Sequence, residues 1–429
     1  MNLQEKDYAL IWHPYTHQKN REAAIPIVRG KKTVLTDTAG KEYIDAISSW
    51  WVTIHGHGNK YIARKIYQQA RKLEQVIFAG FTHRPAVELA ERILERLPGP
   101  FAKVFYSDNG STATEVAIKM SLQYWMNKGE GKRNKIVAFH HSYHGDTFGA
   151  MSISERGTFT LPFRDKLFEV IFIDTPEKKN IWKLQQVIES YSGQIACFIY
   201  EPLLQGAGGM RMYDAAHLDS LLAIMKKENI VCIADEVLTG FYRTGHFFAG
   251  DALEQKADII CLSKGLTGGT MAMGITACAQ YLYDAFVSED KTKTFFHGHS
   301  FTANPLACAA ALASLTLLQK AKCLTAIREI VLAQEHFLKR LKPFAKKKTI
   351  KNLRQKGTIC AFEILTAGDD SYLQNIGVAF TAFCLQEGVY LRALGNTVYI
   401  MPPYCITRKE LRKVHLVIIS FLESMPKDH

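Results

Sequence analysis

Two short apolar runs, each closed by charged residues, constrain this chain more than any other feature. Ile230–Ala234 runs into Asp235 and Glu236, and Ile259–Leu262 runs into Ser263 and Lys264. Both runs are rich in β-branched residues and bounded by polar or turn residues, the pattern of strands buried on both faces of a parallel sheet. Open α/β sheets bind ligands beyond the carboxyl ends of their strands. Asp235 and Lys264 are therefore expected to face one crevice. A lysine stripped of water there loses its proton more readily and becomes a nucleophile toward a carbonyl. For this pair alone, two solvated strand-end residues are the simpler reading, and the rest of the chain has to decide.

The surrounding pattern alternates. A strand at 136–139, a strand at 168–173, a helix at 180–191, a strand at 195–200 and a helix at 215–228 precede Ile230–Ala234. Such alternation predicts an α/β fold with a mostly parallel sheet covered by helices. Upstream, helical spacing covers 60–79 and 85–97, the second opened by Pro85 and stopped by Pro98-Gly99-Pro100. A short strand over Lys103–Tyr106 leads into a long helix, and Val34–Ile47, with turn signals at Asp37 and Gly40, reads as a hairpin. After Asn304-Pro305 a long helical region runs to about Leu341; from Asn352 the pattern is α+β, with strands near 357–364 and 397–401 and helices at 371–387 and 407–424. With 429 residues, 47% of them hydrophobic, the chain suffices for a large and a smaller domain. The expected division is residues 1–50 in the small domain, 51–315 in the large one and 316–429 again in the small one.

Several function classes drop out. The net charge is +12, but the basic stretch Lys339–Lys356 lacks interleaved aromatics and reads as a solvated face near a linker, so no nucleic-acid partner is expected. Nine cysteines without a C-x-x-C pair fit a reducing, cytoplasmic compartment. The first residues have no signal-peptide core, and no apolar run reaches membrane-spanning length. His140, His141 and His144, even with His55, His57, His297 and His299, show no H-E-x-x-H or other ligand spacing, so no metal is expected.

Five further stretches bear on chemistry. Asp108-Asn109-Gly110-Ser111-Thr112 follows a strand and opens a helix, which makes an anion site or, alternatively, a simple cap. In HHSYHGDT at 140–147, Tyr143 can cover a planar ring, and EPLLQGAGGM at 201–210 is a strand-end glycine loop or a plain turn. FFHGHSFTANPLA at 295–307 puts Ser300 and Thr302 before a helix, as a second phosphate contact or ordinary capping. In GVYLRALGNTVYIMPPY at 388–404, Arg392 can grip a carboxylate through both arms of its fork, although most arginines only make surface pairs. Two adjacent tryptophans, Trp50 and Trp51, point in different directions, one toward core and one toward a site. A nucleophilic lysine beside an acid able to pair with a protonated pyridine suits pyridoxal phosphate (PLP).

Taken together, the ordered series from NGST through Tyr143, ADEV and SKGLTGG to Arg392 resembles the class III, fold-type I PLP aminotransferases, over about residues 10–405. WHPYT, SSWW, IHGH, YHGDTFGAMS, EPLLQGAGGMRMY, ADEVLTGFYRTG, CLSKGLTGGTM, NPLACAAA and IMPPY are most similar to the members that aminate 8-amino-7-oxononanoate in biotin synthesis. The resemblance implies a large domain with a mostly parallel sheet of seven-stranded type and a smaller α+β domain from both chain ends. It implies that Lys264 is the Schiff-base lysine and Asp235 the partner of the pyridine nitrogen, with Tyr15 beside them in the catalytic set. Gly110 and Ser111 match the phosphate cup, and Tyr143 lies over cofactor and substrate. Gly298, His299 and Ser300 match a substrate- and phosphate-binding loop reached from the other subunit, which implies a homodimer with shared sites. Arg392 matches the residue holding the carboxylate of 8-amino-7-oxononanoate; Trp50 and Tyr399 surround the substrates, and Arg243 supplies a further polar contact.

The chain also departs from the family pattern. His299 stands where Pro is frequent, Ser300 where Thr is, and Asn109 and Ser142 where Ser and Gly are familiar. Ala207 stands where ornithine- and 4-aminobutyrate-type relatives carry a glutamate, which argues against those substrates. The implied amino donor is S-adenosylmethionine. Lysine is the alternative, since both are cations and aromatic residues do not separate them.

Overall fold

The computed structural model describes residues 1–19, 21–365 and 375–425. At its centre is a seven-stranded sheet in the order Phe101–Ser107, Gly274–Ala279, Ile259–Leu262, Val231–Asp235, Ile195–Tyr200, Lys135–Phe139, Ile171–Ile173. Ile195–Tyr200 and Val231–Asp235 are buried at every position, as strands covered on both faces must be. Their side chains alternate between two cores. Phe198, Tyr200, Cys232 and Ala234 pack on one face, and Cys197, Ile199, Val231 and Ile233 on the other. The helix Gly110–Asn127 closes the second face through Ala113, Ala117, Ile118 and Trp125.

The parallel register of the central pair sets Asp235 beside Cys261. Chain continuing past Leu262 therefore emerges at the edge where Asp235 ends its strand, and Lys264 follows at once. Gly274–Ala279 runs antiparallel to both neighbours, a strand the alternating pattern did not predict. A short 3₁₀ turn, Lys264–Thr267, and the loop after it lead back from Ile259–Leu262, and Ser263 Oγ closes the return by donating to the Met273 carbonyl at 2.7 Å.

The two ends of the chain meet in one sheet. Ile27–Lys31, Val34–Asp37 and Glu42–Asp45 form an antiparallel set, and Glu42–Asp45 pairs in parallel with Val389–Tyr390. A second small sheet joins Ile350–Lys356, Ile359–Ile364 and Thr397–Ile400. Part of the basic stretch expected near a linker is thus an edge strand. Its Arg354 donates to the Gly209 carbonyl at 2.6 Å and pairs with Glu363 at 2.6 Å, bracing the glycine loop.

Other boundaries shift for local reasons. The helix expected over 60–79 stops at Ala70, where the apolar spacing gives way to a polar stretch. The helical region after Asn304 is two helices, Pro305–Leu318 and Ala321–Lys346, bent by 70°. The helix expected over 371–387 is seen as Asn375–Gln386, its first expected positions lying outside the described residues. Among the described residues no single helix is long and apolar enough to cross a membrane.

Candidate active site

A cavity of about 850 Å³ opens at the carboxyl edge of the large sheet. Its floor is Lys264, with φ of 40°, in a turn immediately after its strand. Burial holds the Lys264 ammonium below the ordinary lysine range, while Asp235 and Glu201 oppose that shift. The amine nitrogen stands 5.1 Å from the centre of the Trp51 ring. Desolvation of this kind favours the neutral amine, the form that attacks a carbonyl.

Asp235 is buried and held from two sides. Its Oδ1 accepts from the Val237 N–H at 3.0 Å, and its Oδ2 lies 2.6 Å from His144 Nδ1. His144 is itself fixed, its N–H donating to Ser154 Oγ at 2.9 Å and its carbonyl accepting from Thr114 at 3.1 Å. The sequence showed His144 only as one of a histidine cluster. The fold divides that cluster, since His141 pairs instead with Glu155 at 2.8 Å. Glu201, which accepts from the N–H groups of Tyr143 and Gly206, also lines the cavity and was not singled out. Burial pushes its carboxyl up to about 7, with Asp235 adding to the shift and His144 and the backbone donors opposing it.

The opposite wall is the start of the helix Gly110–Asn127. Asn109 caps it by accepting from Thr112 N–H at 3.0 Å, leaving the first N–H groups, which have no partner inside a helix, turned toward the cavity. Gly110 packs tightly on Val237, which an added Cβ would meet at 2.8 Å. Gly145, at φ 138°, leaves room for Ser111, whose hydroxyl an added Cβ would meet at 2.1 Å and which accepts from the Asp146 N–H at 3.2 Å.

The outer half of the cavity is aromatic. Trp50 and Trp51 lie on one turn; Trp51 is 6% exposed, its indole N–H donating to Tyr399 Oη at 2.9 Å, while Trp50 is 46% exposed. Both line the cavity. Tyr15, with φ of 50°, donates to Asp146 at 2.6 Å and touches the Tyr143 hydroxyl at 3.2 Å. Burial, with Tyr15 beside it, keeps the Tyr143 phenol far above its ordinary range and neutral. Phe159, another residue the sequence reading missed, sits edge-on to Tyr15 at 5.5 Å. Arg392 reaches the cavity over the Trp50 ring, 5.3 Å from its centre.

The cavity thus gathers Tyr15, Trp50, Gly110, Ser111, Tyr143, Asp235, Lys264, Arg392 and Tyr399. Four expected residues lie off it. Arg243 is 1% exposed, donates to the carbonyls of Pro402 and Trp51 at 2.9 and 3.4 Å, and stacks on Tyr404. It supports the wall from behind and is not among the residues that line the cavity. Gly298 and Ser300 are exposed on their own chain, and His299 stands at the rim, 3.3 Å from Asp108.

The donor set fits PLP: an anion cradle at a helix start, a fixed carboxylate for a cationic ring nitrogen, and a buried amine beyond. Known proteins agree with that fit. Residues 15–422 match the family described as aminotransferase class-III. The adenosylmethionine-8-amino-7-oxononanoate aminotransferase of Synechococcus elongatus is 43% identical, over 97% of this chain and 99% of its own. The crystal structure of the enzyme of that name from Methanocaldococcus jannaschii superposes with a TM-score of 0.93 at 31% identity, over 98% of both chains. An omega transaminase from Pseudomonas jessenii, in complex with PMP, superposes at 0.92 with 25% identity, over 99% of this chain and 98% of its own. A lysine and an aspartate at neighbouring strand ends, facing a capped helix start, are thus carried on a chain that belongs to the class III aminotransferases.

Proposed function

We propose that the protein moves an amino group from S-adenosylmethionine to 8-amino-7-oxononanoate, giving 7,8-diaminononanoate for biotin synthesis, with PLP as its cofactor. The observation that carries this reading is one cavity with the buried Lys264 at one end and Arg392 at the other, separated by aromatic walls. The names of the full-length relatives support the same reaction.

PLP, when bound, supplies an electron sink for the carbon that gives or takes the amine. The helix start at Gly110 and Ser111 would hold its phosphate, and Asp235 its protonated ring nitrogen. His144, at 2.6 Å, keeps the Asp235 carboxylate aimed. Lys264 is placed to take the proton from the donor carbon and return one to the acceptor carbon. Tyr143 and Trp51 close the space around that amine and exclude water. Arg392 takes the terminal carboxylate of the acceptor through charge-assisted hydrogen bonds. A sulfonium donor is attracted to the faces of Tyr15 and Trp50 by about 0.5–2 kcal/mol.

The working unit in this reading is a homodimer. Gly298, His299 and Ser300 lie outside their own cavity, between the exposed rings of Phe296 and Phe301, which supports a role in a neighbour's site. Sheet membership supports residues 51–315 as a large domain, with 1–50 and 316–429 contributing the smaller one. Nine free thiols, most of them buried, support a cytoplasmic setting. The test is a donor screen with 8-amino-7-oxononanoate as acceptor, alongside sedimentation. Product formation from S-adenosylmethionine and a dimer are expected. Product from lysine alone replaces the donor assignment, and no product from any amine overturns the acceptor.

A further inference from the structure

The turn Ser48–Trp51, which carries both tryptophans, is unusual in its backbone. Ser48, Ser49 and Trp51 have φ of 55°, 58° and 68°, and the turn contains no glycine. Residues with a side chain avoid this region and persist there only where the surroundings over-determine them. One side chain supplies most of that constraint. Asp45, fully buried, accepts from the Ile47 N–H at 3.2 Å and the Ser49 N–H at 2.8 Å, and its second oxygen also lies 2.8 Å from His57 Nε2. From the far side Ser48 Oγ donates to the Met401 carbonyl at 2.9 Å, and Arg243 donates to the Trp51 carbonyl at 3.4 Å.

Neither Asp45 nor His57 reaches the cavity. The turn they hold reaches both of its ends, laying Trp51 beside Lys264 at 5.1 Å and Trp50 beneath Arg392 at 5.3 Å. The span between the amine and the carboxylate grip therefore depends on the shape of this one turn. We propose that Asp45, oriented by His57, is a positioning residue that sets the turn and so sets how long a carboxylate-ended acceptor the cavity takes. The inference rests on the two-ended reading of the cavity given above.

The test uses the holoenzyme and the variants Asp45→Asn, His57→Gln and Asp45→Asn/Ser49→Gly. Asp45→Asn keeps the shape but loses acceptor strength, and a 1 Å misplacement of this kind can cost about a hundredfold. KM for 8-amino-7-oxononanoate is expected to rise about ten- to a hundredfold, with bound PLP near wild type and a smaller effect on the donor half-reaction, which meets the tryptophans of the turn but not Arg392. His57→Gln, which leaves the carboxylate in place, is expected to give a smaller rise in the same constant. Glycine takes positive φ without a side-chain penalty, so Ser49→Gly should recover much of the loss. An unchanged acceptor KM in both single variants, or a loss that glycine does not recover, overturns the proposal. A second readout does not need the substrate: acrylamide quenching of tryptophan fluorescence in a background with Trp12 and Trp182 replaced by Phe, which leaves Trp50, Trp51 and the buried Trp125. It should rise in Asp45→Asn and fall back in the double variant. A wild type inactive on 8-amino-7-oxononanoate sinks the assigned reaction but leaves this readout to decide on the turn.

Discussion

Replacing Arg392 with alanine separates the assigned substrate from a generic aminotransferase. The guanidinium packs over Trp50, whose ring is half exposed, so the stacking lost is about 0.5–1 kcal/mol. The larger loss appears when the acceptor binds, because its carboxylate leaves water and finds no partner. Truncating one member of a desolvated charged pair costs about 2–5 kcal/mol, or roughly thirty- to four-thousandfold in the acceptor half-reaction. Arg392→Lys retains the charge but not the fork, and should fall between alanine and wild type. Stopped-flow measurement of each half-reaction isolates the effect. PLP occupancy should stay near normal, since Asp235 and the helix start at Gly110 lie elsewhere in the cavity. An acceptor half-reaction that is unchanged in Arg392→Ala would refute the reasoning, leaving Arg392 as packing for Trp50.

Borohydride treatment of the yellow holoenzyme should place the label on Lys264, and Lys264→Ala should abolish transamination; peptide mapping that finds another lysine contradicts the site. Tyr399→Phe removes the acceptor of the buried Trp51 indole N–H, and denaturant unfolding should show a loss of about 1–3 kcal/mol. Glu236 accepts from the Ala249 and Gly250 N–H groups, and burial pushes its carboxyl from 4.5 up to about 7. The native state thus keeps a proton that the unfolded chain releases between those values. The stability this group contributes is full below pH 4.5 and lost as pH rises through about 7, on the order of 3 kcal/mol. Glu236→Gln should flatten that slope in denaturation series taken between pH 4.5 and 7.5.

The central sheet was readable because a strand covered on both faces must be apolar throughout, as Ile195–Tyr200 and Ile259–Leu262 are. Gly274–Ala279 was not, since its small residues carry little strand signal and the short 3₁₀ turn Lys264–Thr267 before it is no crossover helix. Ile350–Lys356 hid behind its charges, which an edge strand tolerates and a sequence reading takes for a solvated face. Lys264, Asp235 and Gly110 were visible because each sits at the end of a recognisable strand or the start of a helix. The partners that aim them were not. His144 meets Asp235 across 91 positions, and no local pattern marks that contact. Arg243 shows the opposite limit: the residue type suits a substrate contact, but the direction of its side chain depends on tertiary packing around Trp51 and Pro402.

The joining of both chain ends in one sheet has a consequence for the order in which the site comes into being. Ser48 hydrogen-bonds Met401 across 353 positions. At about 5–20 residues per second of translation, that separation is roughly 20–70 s of synthesis. Lys264, Asp235 and the helix start at Gly110 emerge well within that interval; Arg392 and Tyr399 come near its end. A nascent chain can therefore hold the reactive lysine in a folded sheet before Arg392 exists to choose a carboxylate-ended substrate. Until the Val389–Tyr390 strand docks beside Glu42–Asp45, the small sheet of the chain's two ends presents a bare edge, the template on which chains add to one another. Final docking of one short strand thus protects the chain from aggregation and completes its discrimination in a single late event.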